Sequence, residues 1–245
     1  MAVSGSKDFE PNVADYVEEA FERCGLEFRT GYDAVTARRS MNFLFADWAN
    51  RGLNRWTINQ VSQTVATGIS SYPAGTITGG TSLASTTISA SPSLKDVQST
   101  IDVLSAVVRR SGSDVSISRV SRDDYLSIPT KSSTGMPIQF YVDRQITPVL
   151  KVWLTPENST DIIIYDRLVR IDDADSSINT VEVPFRFYPC LAAGLAYYIS
   201  MKRAPDRMQF LKSVYEEEFL RAAEEDRDRA SFSIVPSYSY LSGTS

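Results

Sequence analysis

The 245 residues include 25 Lys and Arg against 30 Asp and Glu, a formal net charge of −5, and 42% of them are hydrophobic. A chain of this length can bury a core without disulfide or metal staples, and its acidic balance does not indicate a basic phosphate-binding face. It contains no histidine, which excludes Ser-His-Asp and Cys-His nucleophile systems, His-ligated zinc and histidine general bases. No nucleotide- or metal-binding motif occurs, and no apolar run reaches the roughly 18–20 residues of a membrane span. We therefore expect no cofactor and no membrane span.

Two amphipathic helices are predicted at the start of the chain. In Val13–Gly25 the apolar residues recur at the spacing of one helix face, and Gly25 is suited to the C-terminal cap. A second apolar stripe predicts a helix over Tyr32–Arg51, before which Thr30 and Asp33 have the spacing of a capping box. These two helices should form an N-terminal hairpin.

The middle of the chain changes composition twice. No residue from Trp56 to Leu94 is charged, and Ser, Thr and Gly dominate residues 64–93, which favours a long loop or hairpin with little side-chain packing. From Ile101 onward the apolar residues alternate with polar ones in "IDVLSAVVRR", "DVSISRV", "PIQFYVDRQ", "VLKVWL" and "DIIIYDRLVRI". At least five strands with short connections predict an antiparallel sandwich or small barrel.

Helical periodicity returns after the strands. "PCLAAGLAYYISMK" is apolar nearly all round, which predicts a helix over Pro189–Lys202 that is buried among others. Pro205–Asp228 is predicted to be a helix with a charged outer face, and Cys24 and Cys190 are predicted to be reduced core residues. The fold class is thus α+β, with a helical bundle built from two helix pairs and an inserted β domain. The predicted divisions are an N-terminal helical hairpin (1–55), a β domain (56–183), a C-terminal helical hairpin (184–229) and an extended tail (230–245).

The tail is the candidate binding segment. From Ala230 to Ser245 it has no charged residue, yet large apolar side chains recur at mostly even spacing, and Pro236 disfavours helix. In an extended chain, even spacing places these side chains on one side, where they can enter a groove of a partner. The predicted partner-binding residues are Phe232, Ile234, Val235, Pro236, Tyr238 and Tyr240.

Three long strings of the sequence resemble the head-to-tail adaptor of short-tailed bacteriophages, a family related to tail tubular protein A. They are "TARRSMNFLFADWANRGLNRWTINQ", "SRDDYLSIPTKSSTGMPIQFYVDRQ" and "VPFRFYPCLAAGLAYYISMKRAPDRMQFLKSVYEEEFLRAAEEDRDRASFSIVP". The resemblance spans about Val13 to Pro236 and keeps the order of the three blocks. None of these strings is a catalytic signature.

The resemblance implies a structural virion protein and not an enzyme. It implies a homo-oligomeric ring, usually of about twelve copies, that lies under the portal protein, extends the DNA channel and carries the tail nozzle protein. It places the protein at the head-tail interface of the virion, after assembly in the cytoplasm of a bacterial host, with the C-terminal tail reaching along the portal. A net acidic protein suits DNA passage without sequence-specific binding, because each Lys or Arg contact to phosphate adds affinity.

Two other functions remain open at the level of sequence. One is a receptor- or carbohydrate-binding β module of a phage tail, with the polar run from residue 64 to 94 as its contact surface. The other is a carboxylate-dependent cell-wall hydrolase, which needs two acids at a fixed separation. Asp123 and Asp124 in "SRDDYL" are the candidate acids. Neighbouring residues of a strand point to opposite faces, so they would make a poor pair.

Overall fold

The computed structural model describes residues 5–6, 8–29, 31–52, 55–75 and 94–226. Within these ranges the helices are α1 (Val13–Cys24), α2 (Tyr32–Arg51), α3 (Leu94–Ser99), α4 (Arg122–Ser127), α5 (Tyr188–Arg203) and α6 (Met208–Glu225). Short 3-10 turns cover Arg55–Thr57, Phe185–Phe187 and Pro205–Arg207. The strands are β1 (Ile58–Thr64), β2 (Ser71–Pro73), β3 (Thr100–Arg110), β4 (Ser113–Arg119), β5 (Thr134–Gly135), β6 (Gln139–Asp143), β7 (Val149–Trp153), β8 (Thr155–Pro156) and β9 (Ile162–Val169).

Four long helices lie where the helical periodicities predict them, which confirms those predictions. Their caps differ from the prediction in one place. Helix α1 begins at a full capping box between Asn12 and Asp15 and ends at Gly25, whose φ of 69° is left-handed. The capping box predicted for α2 is wrong. Its N-cap is Gly31, which has no side chain to accept a bond, and Thr30 lies outside the described residues. Asp33 instead forms an ion pair with α5, through Arg203 at 2.6 Å.

One hydrophobic core is shared by α1, α2, α5 and α6, and we call it the helical cluster. Helix α5 lies at its centre, because residues on nearly all sides of this helix are buried, as its composition predicts. The approach of its neighbours is close at Gly194. A Cβ atom there would lie 2.8 Å from Leu44 of α2 and 2.9 Å from Tyr215 of α6. A larger residue at this position would therefore crowd both neighbouring side chains, and glycine avoids this.

Polar bonds join α2 to α6 at the edge of the helical cluster. The Trp48 indole donates to the Tyr215 hydroxyl (3.1 Å), and that hydroxyl donates to the Asp47 carboxylate (2.9 Å). Arg51 binds both oxygens of Glu216, at 2.9 and 3.0 Å, and these bonds lower the pKa of Glu216. Since Tyr215 is 1% exposed, its bonded hydroxyl avoids the cost of a buried polar group without a partner.

The strands form a seven-stranded sheet in the order β1-β9-β3-β4-β6-β7-β2, and β5 pairs with β8 separately. Neighbours are antiparallel except β4 with β6, and the β5–β8 pair is also parallel. The prediction of an entirely antiparallel sheet is wrong at these two pairs. The chain between β4 and β6 passes through α4 and β5, and this crossover lets it return in the same direction.

The sheet is curled, and its connectivity requires this. Strands β1 and β2 lie at opposite edges, although only residues 65–70 join them. A flat sheet of seven strands would be roughly 29 Å across, whereas seven peptide steps reach about 25 Å at most. Register shifts in β3, at Thr100/Asp102 and Val103/Ser105, add local twist. Side chains from both halves of the sheet meet in one second core, the sheet cluster.

Two local predictions in the middle of the chain are wrong. Residues 64–75 are not a loop with little packing, because Val65, Tyr72 and Ala74 are each at most 2% exposed in the sheet cluster. The few large side chains of this Ser/Thr/Gly-rich run are the ones that enter the core. Residues 76–93 lie outside the described residues. The segment "SRDDYL" is not a strand, since Ser121 accepts a bond from the Asp124 backbone and caps helix α4.

The central position of α5 gives a direct stability prediction. Leu195 is fully buried and Leu220 is 61% exposed. We expect Leu195→Ala to lower the free energy of unfolding by about 2–5 kcal/mol, because it leaves a cavity. Leu220→Ala should change it by less than about 0.5 kcal/mol. Urea unfolding of both variants measures the difference, and equal losses would contradict the central position of α5.

Candidate partner-binding site

The six predicted binding residues of the tail lie outside the described residues, so the structure shows only where the tail begins. The described chain ends at Asp226, the C-cap of α6, which is 7% exposed. Its carboxylate accepts a hydrogen bond from Arg186, in the 3-10 turn before α5. The Arg186 guanidinium also lies over the rings of Trp56 and Phe187, at 5.9 and 5.8 Å. We call this Arg186–Asp226 pair the tail anchor.

An apolar groove lies beside the same 3-10 turn. Its walls come from the segment before α1, from α1 itself and from the start of α5, and they enclose about 390 Å³. Tyr188 is the central ring, with Phe185, Tyr16 and Phe9 at centroid distances of 5.4, 6.0 and 6.4 Å. The lining residues, which we call the aromatic groove, are Phe9, Pro11, Asp15, Tyr16, Glu19, Arg23, Tyr188, Pro189 and Ala192.

The charged residues of the aromatic groove are already engaged. Arg23 forms an ion pair with Glu19 at 2.7 Å. The Asp15 carboxylate accepts a bond from the Asn12 backbone at 2.9 Å, as part of the cap of α1. An uncharged ligand could therefore enter without separating a free charge from water.

Tyr16 carries a polar group for which the described residues supply no partner. The side chain is 4% exposed, and its buried hydroxyl has no hydrogen-bond acceptor within the described ranges. Burial raises the pKa of Tyr16 well above its ordinary value, with smaller contributions from Tyr188 and Asp15, so the hydroxyl stays protonated. A buried donor without an acceptor costs about 1–3 kcal/mol. This could not be predicted from the sequence, because Tyr16 fits the apolar stripe of α1.

A second feature is the place where the described chain stops at residue 75 and resumes at residue 94. A Cβ atom on Gly75 would lie 2.7 Å from the Val97 side chain, so the two ends are in contact. Thr100 donates to the Ala74 carbonyl (2.6 Å), and Tyr165 donates to the Gly75 carbonyl (3.2 Å). The described chain therefore stops at Gly75 beside helix α3, the element with which it resumes.

A buried arginine holds this point together. Arg167 is 3% exposed and forms an ion pair with Asp96 at 2.7 Å. It also donates to the Thr100 hydroxyl at 3.0 Å. Because a buried guanidinium is stable only when its donors are satisfied, this network fixes α3 against β3 and β9. We call it the loop base.

The described residues offer little for catalysis. Cys24 and Cys190 are buried and unbridged, which confirms the reduced-core prediction, and burial raises the pKa of both thiols. Asp123 and Asp124 lie in the first turn of α4, where Asp124 bonds to Ser121. Within the described ranges no three metal-binding side chains cluster. Among the same residues, no helix has both the length and the apolar character to span a bilayer.

A comparison with protein families identifies what the chain resembles. The model of the family described as SU10 adaptor protein matches residues 27–237. The matched range includes most of both hydrophobic clusters and reaches into the tail. It confirms the resemblance to head-to-tail adaptors of bacteriophages. No curated protein matches the chain.

Loss of the tail anchor, at the end of α6, should destabilise the fold more than loss of an exposed ion pair on the same helix. We expect Arg186→Leu to destabilise the fold by about 1–3 kcal/mol, because it leaves the Asp226 carboxylate buried without its donor. Arg221→Leu is the control, since its bonds to Glu217 and Glu218 are exposed and such pairs contribute about 0–1 kcal/mol. Urea unfolding compares the variants. Equal effects would show that Asp226 is not held by Arg186.

The loop base predicts that much of residues 76–93 can be removed. Deleting residues 78–93 should change the free energy of unfolding by no more than about 1 kcal/mol, because the ends are already in contact and loop entropy varies slowly with length. Tyr72→Ala, in the described part of the same uncharged run, should cost about 3–5 kcal/mol. Thermal and urea unfolding measure both. A deletion as costly as Tyr72→Ala would place residues 78–93 in the core.

Proposed function

Because the chain belongs to the SU10 adaptor protein family, we propose that it forms the head-to-tail adaptor ring of a bacteriophage, with about twelve copies under the portal protein. The family makes the protein a structural component of the virion. In this role the ring extends the DNA channel and provides the platform for the tail nozzle protein, after assembly in the host cytoplasm. The match over residues 27–237 is the observation that carries the proposal.

The outer face of α2 supports an assembly of several copies. Tyr32 and Phe43 are 75% and 58% exposed, and eleven residues are about three turns, so they share a face. Val35 is also exposed, one turn from Tyr32. Helix α2 thus has apolar side chains on its solvent side as well as in the helical cluster. Such exposure is typical of surfaces that contact another protein.

The helical cluster and the sheet cluster are separate hydrophobic cores, and the part of the molecule around each core can contact a different neighbour. In the proposed ring, the bundle formed by the helices faces the portal, and the β domain faces the tail and adjacent subunits. Residues 76–93 would contact a neighbouring subunit or tail component, because the loop base projects them from one point of the sheet. The tail would then extend from the helical side towards the portal.

The cations at one end of α2 and α5 support passage of DNA without specific binding. Arg203 is paired with Asp33 at 2.6 Å, and Lys202 donates to the Ser40 hydroxyl at 2.7 Å. Arg38 donates to the Asp175 carbonyl. Cations that are bound within the protein are less available to phosphate, and weak phosphate contact suits a conduit.

The tail supplies the proposed contact with the portal. Phe232, Ile234, Val235, Pro236, Tyr238 and Tyr240 would lie in a portal groove in extended form. Burial of one large side chain contributes roughly 1.5–3 kcal/mol before ordering costs. Repetition around a ring raises the effective concentration of each tail, so a weak single contact is sufficient.

The experiment compares two triple variants of the tail. Replacing Phe232, Tyr238 and Tyr240 with Ser should weaken binding to purified portal by at least about a hundredfold, because three anchors are lost. Replacing Ser233, Ser237 and Ser239 with Ala is the control on the opposite side of an extended chain, and it should bind like wild type. Portal binding is measured by sedimentation of the complex. Equal binding by both variants would show that the tail is not the portal contact.

A further inference from the structure

We infer that the aromatic groove binds the segment Ser231–Tyr240 of its own chain when no partner holds that segment. The inference does not depend on the identity of the partner. It follows from where the described chain ends and from the chemistry of the groove.

The tail begins beside the groove. Asp226 is bound to Arg186, and the next turn of the same segment carries Tyr188, the central ring of the groove. Phe185, on the other side of Arg186, has its ring 5.4 Å from that of Tyr188. The peptide steps from Asp226 to Ser231 can span about 17 Å when the chain is extended. The tail anchor therefore delivers the uncharged segment within reach of the groove.

The groove and the segment match in polarity. Phe9 and Phe185 are 69% and 71% exposed although both contact Tyr188. Covering these rings with apolar groups is favourable, and aromatic side chains add preferred ring contacts. Residues 230–245 contain no charge and include Phe232, Tyr238 and Tyr240. Because the groove's own charges are engaged, an uncharged segment fits it better than a charged one.

The consequence is competition between two binding places for one tail. A segment that lies in the groove is not free to bind a partner, so the apparent affinity for the partner falls with the fraction of free tails. The groove would also keep the aromatic side chains away from other copies before assembly.

Hydrogen exchange of the full-length protein, without any partner, tests the inference. The amides of Ser231–Tyr240 should exchange at least about tenfold more slowly than in a free peptide of the same sequence. Phe9→Ser should remove this protection, and Phe210→Ser is the control because Phe210 is 68% exposed elsewhere, on α6.

Three outcomes would overturn the inference. The first is exchange of the wild-type tail at the rate of the free peptide. The second is equal protection in Phe9→Ser, Phe210→Ser and wild type. The third is protection that disappears on dilution, which would show that the groove holds the tail of a second copy. None of these outcomes measures portal binding, so the proposed adaptor function would stand or fall separately.

Discussion

The burial of α5 on all sides is the constraint on which the rest of the molecule depends. A helix that is apolar nearly all round must be covered by other helices, and here α1, α2 and α6 cover it. Gly194 permits α2 and α6 to approach so closely that no side chain would fit. Two of these covering helices come from the start of the chain. The helical cluster is therefore complete only where helices from both sides of the strands pack together.

The same helix positions the candidate binding features. Its first residue, Tyr188, is the central ring of the aromatic groove, and Arg186 of the preceding turn holds the start of the tail. A shift of α5 would move both together. This coupling ties the end of the described chain at Asp226 to the packing of the helical cluster.

The sequence predicted the long helices well, because apolar stripes over 12–20 residues are hard to produce by chance. Prediction from the sequence failed for short elements and for the relative direction of paired strands. Helix α4 has six residues, too few to show a helical period. The parallel pairing of β4 with β6 was missed because alternation reveals a strand but not its direction. Strand β2 was missed because its one core side chain, Tyr72, lies in a run of Ser, Thr and Gly.

The candidate binding features divide in the same way. The tail could be proposed from composition, because the loss of charge after Arg229 is visible in the sequence, and it stays a prediction. The groove was not predictable, because Tyr16 and Tyr188 belong to helices α1 and α5, which are far apart in the sequence and start at Val13 and Tyr188.

 Their rings meet only in the folded chain, at a centroid distance of 6.0 Å. Phe9 precedes the first helix and fits no periodic pattern, so nothing in the sequence marks it as part of a binding surface.

The mass of the purified protein, measured alone and after mixing with its portal protein, tests whether it forms the proposed ring. We expect the portal complex to gain a whole number of copies, about twelve, because a closed ring has a fixed subunit count. At saturation every portal complex should carry the complete ring, and complexes with fewer copies should be absent. A portal that gains no mass, with this protein remaining separate at every concentration, would contradict the account.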